Sequence, residues 1–419
     1  MRMPSAVSPG LVGIKSIEEL DIREKSVFIR LDLNVPLKKA VIADDTRIRG
    51  ALPTIKYAMD RKAKIVLASH LGRPKGGPED REKFSLEPVA RRLHELLNVD
   101  VVLFDDPNGE GIKGVLKGLG ENQILLLENT RFAPGEEKNS MEMAANLASF
   151  TDVYIDDAFG AIHRAHCTVQ ALPSLVKVKG IGFLIQKEIQ VLDGLLHNTK
   201  KPFLSLLGGA KVSDKIDVIE NLLEKVDGFV IGGAMAYTFL AAQEIAIGNS
   251  LVEKDKIHLA KEILERLRLR GKKLILPVDH VVAKELKENV AVQTTNTSAI
   301  PAGMMGLDIG PKTIELIKKE IDGAKLIFWN GPMGAFETPP FEKGTFAVAH
   351  AVAQSKALTV VGGGDSVTAV EEAGVAKQIG HISTGGGASL EYLEGKKLPG
   401  LEVLRADRRV KNEKLEEHA

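Results

Sequence analysis

Short apolar runs rich in β-branched residues alternate with segments of helical period along the whole chain. In the first half they are VFIRLDL from Val27, KIVLASH from Lys64, DVVLF from Asp100, ILLLE from Ile124 and VYIDDA from Val153. In the second half they are FLSLL from Phe203, GFVIGG from Gly228, LILPVDHVV from Leu274, LIFWNG from Leu326, LTVVGG from Leu358 and HIST from His381. Helical spacing lies between them. Val212, Ile216, Ile219, Leu223 and Val226 step 4-3-4-3 and predict a helix closed by Gly228. The stretch from Gly180 to Leu196 places Ile185, Ile189, Leu192 and Leu196 on one stripe and predicts another, ended by the polar break HNTKKP. Strand, helix and strand in this rhythm predict parallel βαβ units with both sheet faces covered. The reading is an α/β protein of two doubly wound, Rossmann-like parallel-sheet lobes. They are taken as residues 1–184 and 200–404, joined by a connecting helix at 185–199, with a charged tail at 405–419.

The punctuation after the strands differs between the halves. In the second half FLSLLGGAKVSDK, GFVIGGAMAYTF, LTVVGGGDSVTAV and HISTGGGASLEYL each pass from an apolar run through glycines into a helical pattern. Such a turn lets backbone N–H groups and the positive helix end face an anion without Cβ obstruction. In the first half the runs end in RLDLNVP, SHLGRP, LLENTRF and DDAFGAIHRAH, which set Arg, His, Asn and Asp at the strand ends. Ligands of open parallel sheets bind at those ends. One half offers glycine cradles and the other arginines.

Composition narrows the partners. At 419 residues the chain is long enough for two domains. Lys+Arg and Asp+Glu are both 56, so no net field attracts nucleic acid or an anionic membrane, and neither is expected as a partner. The single cysteine, Cys167, excludes an internal disulfide and suits a reducing compartment. No signal-peptide core and no membrane span is read, so a cytoplasmic location is expected.

Several residues then acquire chemistry. Asp365 and Ser366 are natural helix N-caps, but an aspartate among phosphate-cradling amides also suits a nucleotide-bound Mg2+. Lys211 and Lys215 fall on one face of the first turns of the helix expected after Gly208-Gly209, where cations oppose the macrodipole; a phosphate between them and the helix end removes the conflict. Arg47, Arg73, Arg131 and Arg164, with His70, each follow or flank a strand and would converge on one sheet edge as forks for phosphate and carboxylate. His163, His166 and Cys167 have poor spacing for zinc. Gly109, Gly111 and Gly114 match the dinucleotide fingerprint, yet Asp105 to Asn108 separate them from the strand, and a surface loop is the reading preferred.

RLDLNVP, SHLGRP, LLENTRF, DDAFGAIHRAH, GGAKVSDKI, GLDIGP, WNGPMGAFE, GGGDS and STGGGASLE together resemble phosphoglycerate kinase, in order from Lys15 to Leu404. The resemblance implies a hinge-bending, monomeric glycolytic enzyme that reversibly moves the acyl phosphate of 1,3-bisphosphoglycerate to ADP, giving 3-phosphoglycerate and ATP with Mg2+. It implies that Asp32, Leu33, Asn34, Arg47, His70, Leu71, Gly72, Arg73, Arg131 and Arg164 bind phosphoglycerate. It implies Lys215, Gly306, Glu337, Gly363, Gly364, Asp365 and Ser366 at the nucleotide, with Glu337 on the ribose and Asp365 on Mg2+. Lys211 and Arg47 would reach the transferring group, helped by N–H groups at Gly386 and Gly387. The nucleophile is already ionised, so in-line transfer needs positive potential rather than a general base. Asp156 stands where the family usually has Asn, and Ser366 replaces a usual Thr. The rival readings are a catalytically silent nucleotide-binding relative and a nicotinamide dehydrogenase built on the Gly109 fingerprint.

Overall fold

The structure is a computed structural model that describes residues 8–405 apart from 121 and 198. The chain divides into two compact units, one running up to Gln190 and resuming at Lys397, the other from Val191 to Lys396.

The first unit is built on six parallel strands: β1 (Ser26–Leu31), β2 (Lys64–Ala68), β3 (Asp100–Phe104), β4 (Gln123–Leu127), β5 (Val153–Asp157) and β6 (Val178–Ile181). Their order is β3-β4-β2-β1-β5-β6, all in parallel register. The sequence order reverses at β1, which makes the C-terminal edge beside β1 and β5 a topological switch point. Helices α1 (Thr46–Met59) and α2 (Glu87–Leu97) cover one face, where Ile48, Ile55, Val89 and Leu93 join Val27, Ile29, Ile65 and Leu67 in a single core. Apart from the edge strand β3, whose apolar residues are half-buried, the apolar runs are buried on both faces, which is why they read as continuous rather than alternating.

The second unit repeats the plan. Its sheet is β7 (Phe203–Leu207), β8 (Gly228–Ile231), β9 (Lys273–Ile275), β13 (Leu326–Asn330), β14 (Leu358–Gly362) and β15 (His381–Ile382), ordered β9-β8-β7-β13-β14-β15 and parallel throughout. A small antiparallel sheet is inserted, β10 (His280–Ala283) between β11 (Gln293–Thr294) and β12 (Met305–Ile309). The turns after β8, β7, β13, β14 and β15 are neighbours at one edge, so the two GGG turns do lie side by side.

Three readings need correction. The run LILPVDHVV is two strands in two sheets, divided at Pro277, which has no N–H for a ladder. Gly180 and Ile181 belong to β6, and the helix α3 (Phe183–Leu196) starts only at Phe183, so the stripe Ile185, Ile189, Leu192 and Leu196 is real but the start is later. The break between units falls inside this helix, after Gln190. Residues 397–405 belong to the first unit rather than the second: Gly400 N–H bonds Ile162 O, and Arg405 donates to Val12 O at 2.6 Å and Gly10 O at 3.0 Å. Arg405 is therefore fastened, and the rest of the expected tail, 406–419, lies outside the described residues.

Candidate active site

In the first unit every strand end with a charged motif lies in the contiguous set β4-β2-β1-β5. Asp32 and Asn34 follow β1, His70 and Arg73 follow β2, Arg131 follows β4 and Arg164 follows β5. Arg47 comes from the first turn of α1, and its Nη1 pairs with the Asp32 carboxylate. Burial raises the Asp32 carboxyl, but the positive field of Arg47 and Arg30 and the hydrogen bond from Arg47 outweigh it and hold the group below the usual carboxylate range. Arg131 has its Nε 3.1 Å from Glu137 Oε1, off hydrogen-bond geometry. Burial lowers its pKa, Glu137 works against this, and Arg164, Arg30 and Arg73 add to the lowering. Several guanidinium groups therefore crowd one edge with too few carboxylates to balance them. An anionic ligand relieves that repulsion.

His70 belongs to this edge but not as a cation. Burial drives its pKa down to about 3, with Arg30, Arg131 and Arg164 adding to the effect against Asp32. It supplies a neutral imidazole whose Nδ1 lies 3.3 Å from Arg30 Nη2. His166 is likewise lowered to about 4 by burial and neighbouring arginines. Leu33 and Leu71 give their side chains to the core, and their N–H groups are taken by Ser69 Oγ at 2.8 Å and Asn129 Oδ1 at 3.2 Å. Gly72 N–H is taken by Asn34 Oδ1 at 2.8 Å, and its carbonyl by Arg131. These three residues shape the loops rather than offering free backbone groups.

Sequence reasoning missed Arg30, which is fully buried near the C-terminal end of β1. It donates from Nε to Thr168 Oγ1 at 2.7 Å and lies 3.8 Å from Glu136 Oε1, which in turn accepts from Thr168 Oγ1 at 2.6 Å. The signal was available: a charge inside an otherwise apolar strand must be paired.

The second unit carries helices α4 (Ile216–Leu222), α5 (Met235–Ala242), α6 (Ile257–Leu269), α7 (Pro311–Gly323), α8 (Lys343–Gln354), α9 (Gly364–Glu372) and α10 (Gly387–Leu393). Gly208, Lys211, Lys215, Asn330, Gly363, Gly364, Asp365, Ser366, Gly386 and Gly387 line one groove of about 310 Å3. Two helix N-termini supply its wall, that of α9 after β14 and that of α10 after β15. Lys211 is exposed and precedes the helix expected to carry it, because α4 begins at Ile216 with Lys215 as its N-cap residue. The loop between is tied down by Ser213, whose N–H and Oγ donate to Glu253 at 3.1 and 2.6 Å. Lys215 Nζ donates to Asn330 Oδ1, and burial lowers its pKa against the pull of Asp214, Asp365 and Glu394. Asn330 also donates from Nδ2 to Gly362 O at 2.6 Å, which anchors the β14 turn. Gly363 has φ +90°, and a Cβ there would lie 2.6 Å from Asn330 Nδ2, so only glycine serves. The Ser366 hydroxyl is buried and accepts from Gly331 N–H at 2.5 Å, so this side chain joins two turns of the groove. Asp365 is exposed on the groove with no hydrogen-bond or ion-pair partner among the described residues. One unpaired carboxylate beside a phosphate cradle fits Mg2+, which takes few protein ligands and completes its shell with phosphates and water.

A second cavity of about 400 Å3 shares Gly209, Ala210 and Asp365 with the loops of this groove and is lined mainly by apolar residues. They include Leu251, Leu286, Leu307 and Pro332, with Gly306 and the exposed Glu337 also on its wall. A polar, phosphate-sized groove running into an apolar cavity matches a nucleotide. A larger surface groove of about 1100 Å3 lies along α6 and β9, but mixed charges such as Lys261, Glu262 and Arg266 line it and no glycine turn reaches it. The Gly109 fingerprint follows β3, an edge strand away from the switch point; contrary to the surface loop expected, Gly111 is the N-cap of a short helix, Ile112–Gly118, that contains Gly114. Among the described residues no cluster of three His, Cys, Asp or Glu could hold a metal unaided, and no helix is long and apolar enough to cross a membrane.

An arginine edge for an acidic substrate in one α/β unit and a phosphate cradle with a nucleoside cavity in another define a nucleotide-dependent phosphotransferase. The chain belongs to the phosphoglycerate kinase family, whose model matches residues 17–396. It is 56% identical over 396 residues to a phosphoglycerate kinase of Bdellovibrio bacteriovorus, covering 94% of this chain and 98% of that protein. It is 57% identical over 394 residues to one from Anaeromyxobacter sp., covering 94% and 100%. Among solved structures it is similar to the phosphoglycerate kinase of Coxiella burnetii, with TM-score 0.83 and 40% identity over 93% of this chain and 98% of that one. The activity is reversible phosphoryl transfer from 1,3-bisphosphoglycerate to ADP in glycolysis, and neither the silent nor the dehydrogenase reading finds support.

Proposed function

We propose the following division of labour. The first unit holds 3-phosphoglycerate or 1,3-bisphosphoglycerate through Arg47, Arg73, Arg131 and Arg164, with Asp32 and Asn34 ordering the glycerate end. The second unit holds the nucleotide phosphates on the Gly363–Ser366 and Gly386–Gly387 turns with Lys215, and the ribose beside Glu337. Asp365 would hold Mg2+, which when bound offsets charge on the nucleotide phosphates. Lys211 and Arg47 bear on the transferring group. The acceptor carboxylate and the ADP β-phosphate oxygen are ionised near neutral pH, so no residue need remove a proton, and neutral His70 is free of that task. Positive potential on the three equatorial oxygens carries the catalysis. The enzyme works as a cytoplasmic monomer.

The observation that carries this reading is the pairing of an under-neutralised arginine edge with a groove in which Asp365 and Lys211 both lack partners among the described residues. The test is coupled assay of 1,3-bisphosphoglycerate formed from ATP and 3-phosphoglycerate. Turnover should vanish with chelator and in Asp365→Ala, and Lys211→Ala should lower kcat about a hundredfold while each KM moves little. An unchanged kcat in Lys211→Ala removes that residue from the mechanism.

A further inference from the structure

The apolar cavity of the second unit is also lined by a tyrosine hydroxyl that no described residue satisfies. Tyr237, on α5, is 4% exposed and lines the cavity, and its hydroxyl has no hydrogen-bond partner among the described residues. Buried tyrosine hydroxyls usually find one. Its position is set from several sides. The ring packs with Leu240, Val282 and Ile300 and lies 5.5 Å from the His280 ring. The hydroxyl occupies the place that a Cβ on residue 306 would need, which explains why Gly306 is a glycine. Asp308, the nearby carboxyl, is already committed to the N–H groups of Ile309 and Gly344. Burial and Asp308 push the phenol pKa well up, so it stays protonated.

We propose that the Tyr237 hydroxyl is a specificity-determining group that hydrogen-bonds the substituent at purine C6. Asp365 marks the phosphate end of the cavity, and Tyr237 with Gly306 belongs to the side built from the small β10–β12 sheet. A nucleoside entering from the phosphate end presents there the purine edge remote from its sugar. A hydroxyl both donates and accepts, so it serves a 6-amino or a 6-oxo group but gains nothing from a purine with hydrogen at C6.

This inference rests on the nucleotide placement proposed above. The test is calorimetric binding of ADP, inosine diphosphate and purine riboside 5′-diphosphate to the full-length protein and to Tyr237→Phe, which removes one oxygen. ADP and inosine diphosphate should each bind the variant about threefold to tenfold more weakly, the worth of one neutral hydrogen bond, while purine riboside diphosphate stays within twofold. Equal loss for all three ligands, or no loss for ADP, overturns the proposal. Lys215→Ala and Glu337→Ala separate it from its premise. If both leave ADP affinity unchanged, the nucleotide is bound elsewhere and both readings fall; if they weaken ADP and Tyr237→Phe does not, only the tyrosine role falls.

Discussion

Asp156 sits fully buried at the end of β5, in register with Arg30 on β1. Its Oδ1 accepts from Ala158 N–H at 2.9 Å, and Tyr154 Oη lies 3.3 Å from Oδ2. Burial pushes its pKa up to about 6, and Ala158 N–H, Arg30 and Tyr154 only partly resist. The folded state therefore binds this proton more tightly than the unfolded chain, whose carboxyl titrates near its ordinary 3.8. Stability from the group is present below about pH 4 and is lost as pH rises through about 6. His70 and His166 act in the opposite sense, because burial depresses them and their contribution is lost as pH falls. Asp156→Asn keeps an acceptor for Ala158 and removes the ionisation. Relative to the parent it should gain about 2 kcal/mol between pH 4.5 and pH 8, with the histidine effects cancelling in the difference. Urea unfolding at the two pH values measures this, and a stability difference independent of pH would refute it.

At the scale of elements, the N-terminus of α1 has to present Arg47 although a cation there opposes the helix dipole. Asp45, its N-cap residue, offsets this and ties the helix to α2: Arg92 donates to Asp45 from Nε at 2.9 Å and Nη2 at 2.7 Å, and Arg49 from Nε at 2.9 Å. With Arg47 on the substrate, as proposed above, Arg92 is a positioning residue that acts through the end of α1. Removing it in Arg92→Ala should raise the phosphoglycerate KM about twofold to fivefold and leave the nucleotide KM alone, with Arg92→Lys recovering part of the loss. Parallel changes in both KM values would show general loosening instead. Such cross-links between elements are where sequence reading fell short. The strands were plain because both sheet faces bury them, and the glycine turns because they interrupt apolar runs. Lys211 was set inside a helix because Val212 continues the 4-3 spacing of Ile216 and Ile219. The structure instead holds residues 211–215 open by tying Ser213 to Glu253, a contact with no periodic trace. MGLDI was not read as a strand because Gly306 and Asp308 interrupt its apolar run.

For the molecule as a whole, equal numbers of basic and acidic residues leave no net field, so attraction for acidic ligands has to be local to each unit. The two halves were distinguishable in the sequence because their strand ends differ, arginine in one and glycine in the other. The return of residues 397–405 to the first unit was not, since Gly400 with Ile162 and Arg405 with Gly10 join positions hundreds of residues apart. If each unit recognises its own ligand, binding defects should not cross over. Arg164→Ala removes a fork from the arginine edge, where its contact is with His163 at 3.4 Å, and Lys215→Ala removes the ammonium bonded to Asn330. Calorimetry should show Arg164→Ala weakening 3-phosphoglycerate by about tenfold or more with ADP affinity kept, and Lys215→Ala the reverse, each loss being that of a charge-assisted bond. The 3-phosphoglycerate affinity of the parent should also fall as salt is raised, because the edge is open enough for screening to reach it. A substitution that weakened both ligands equally would mean that neither site is confined to its own unit.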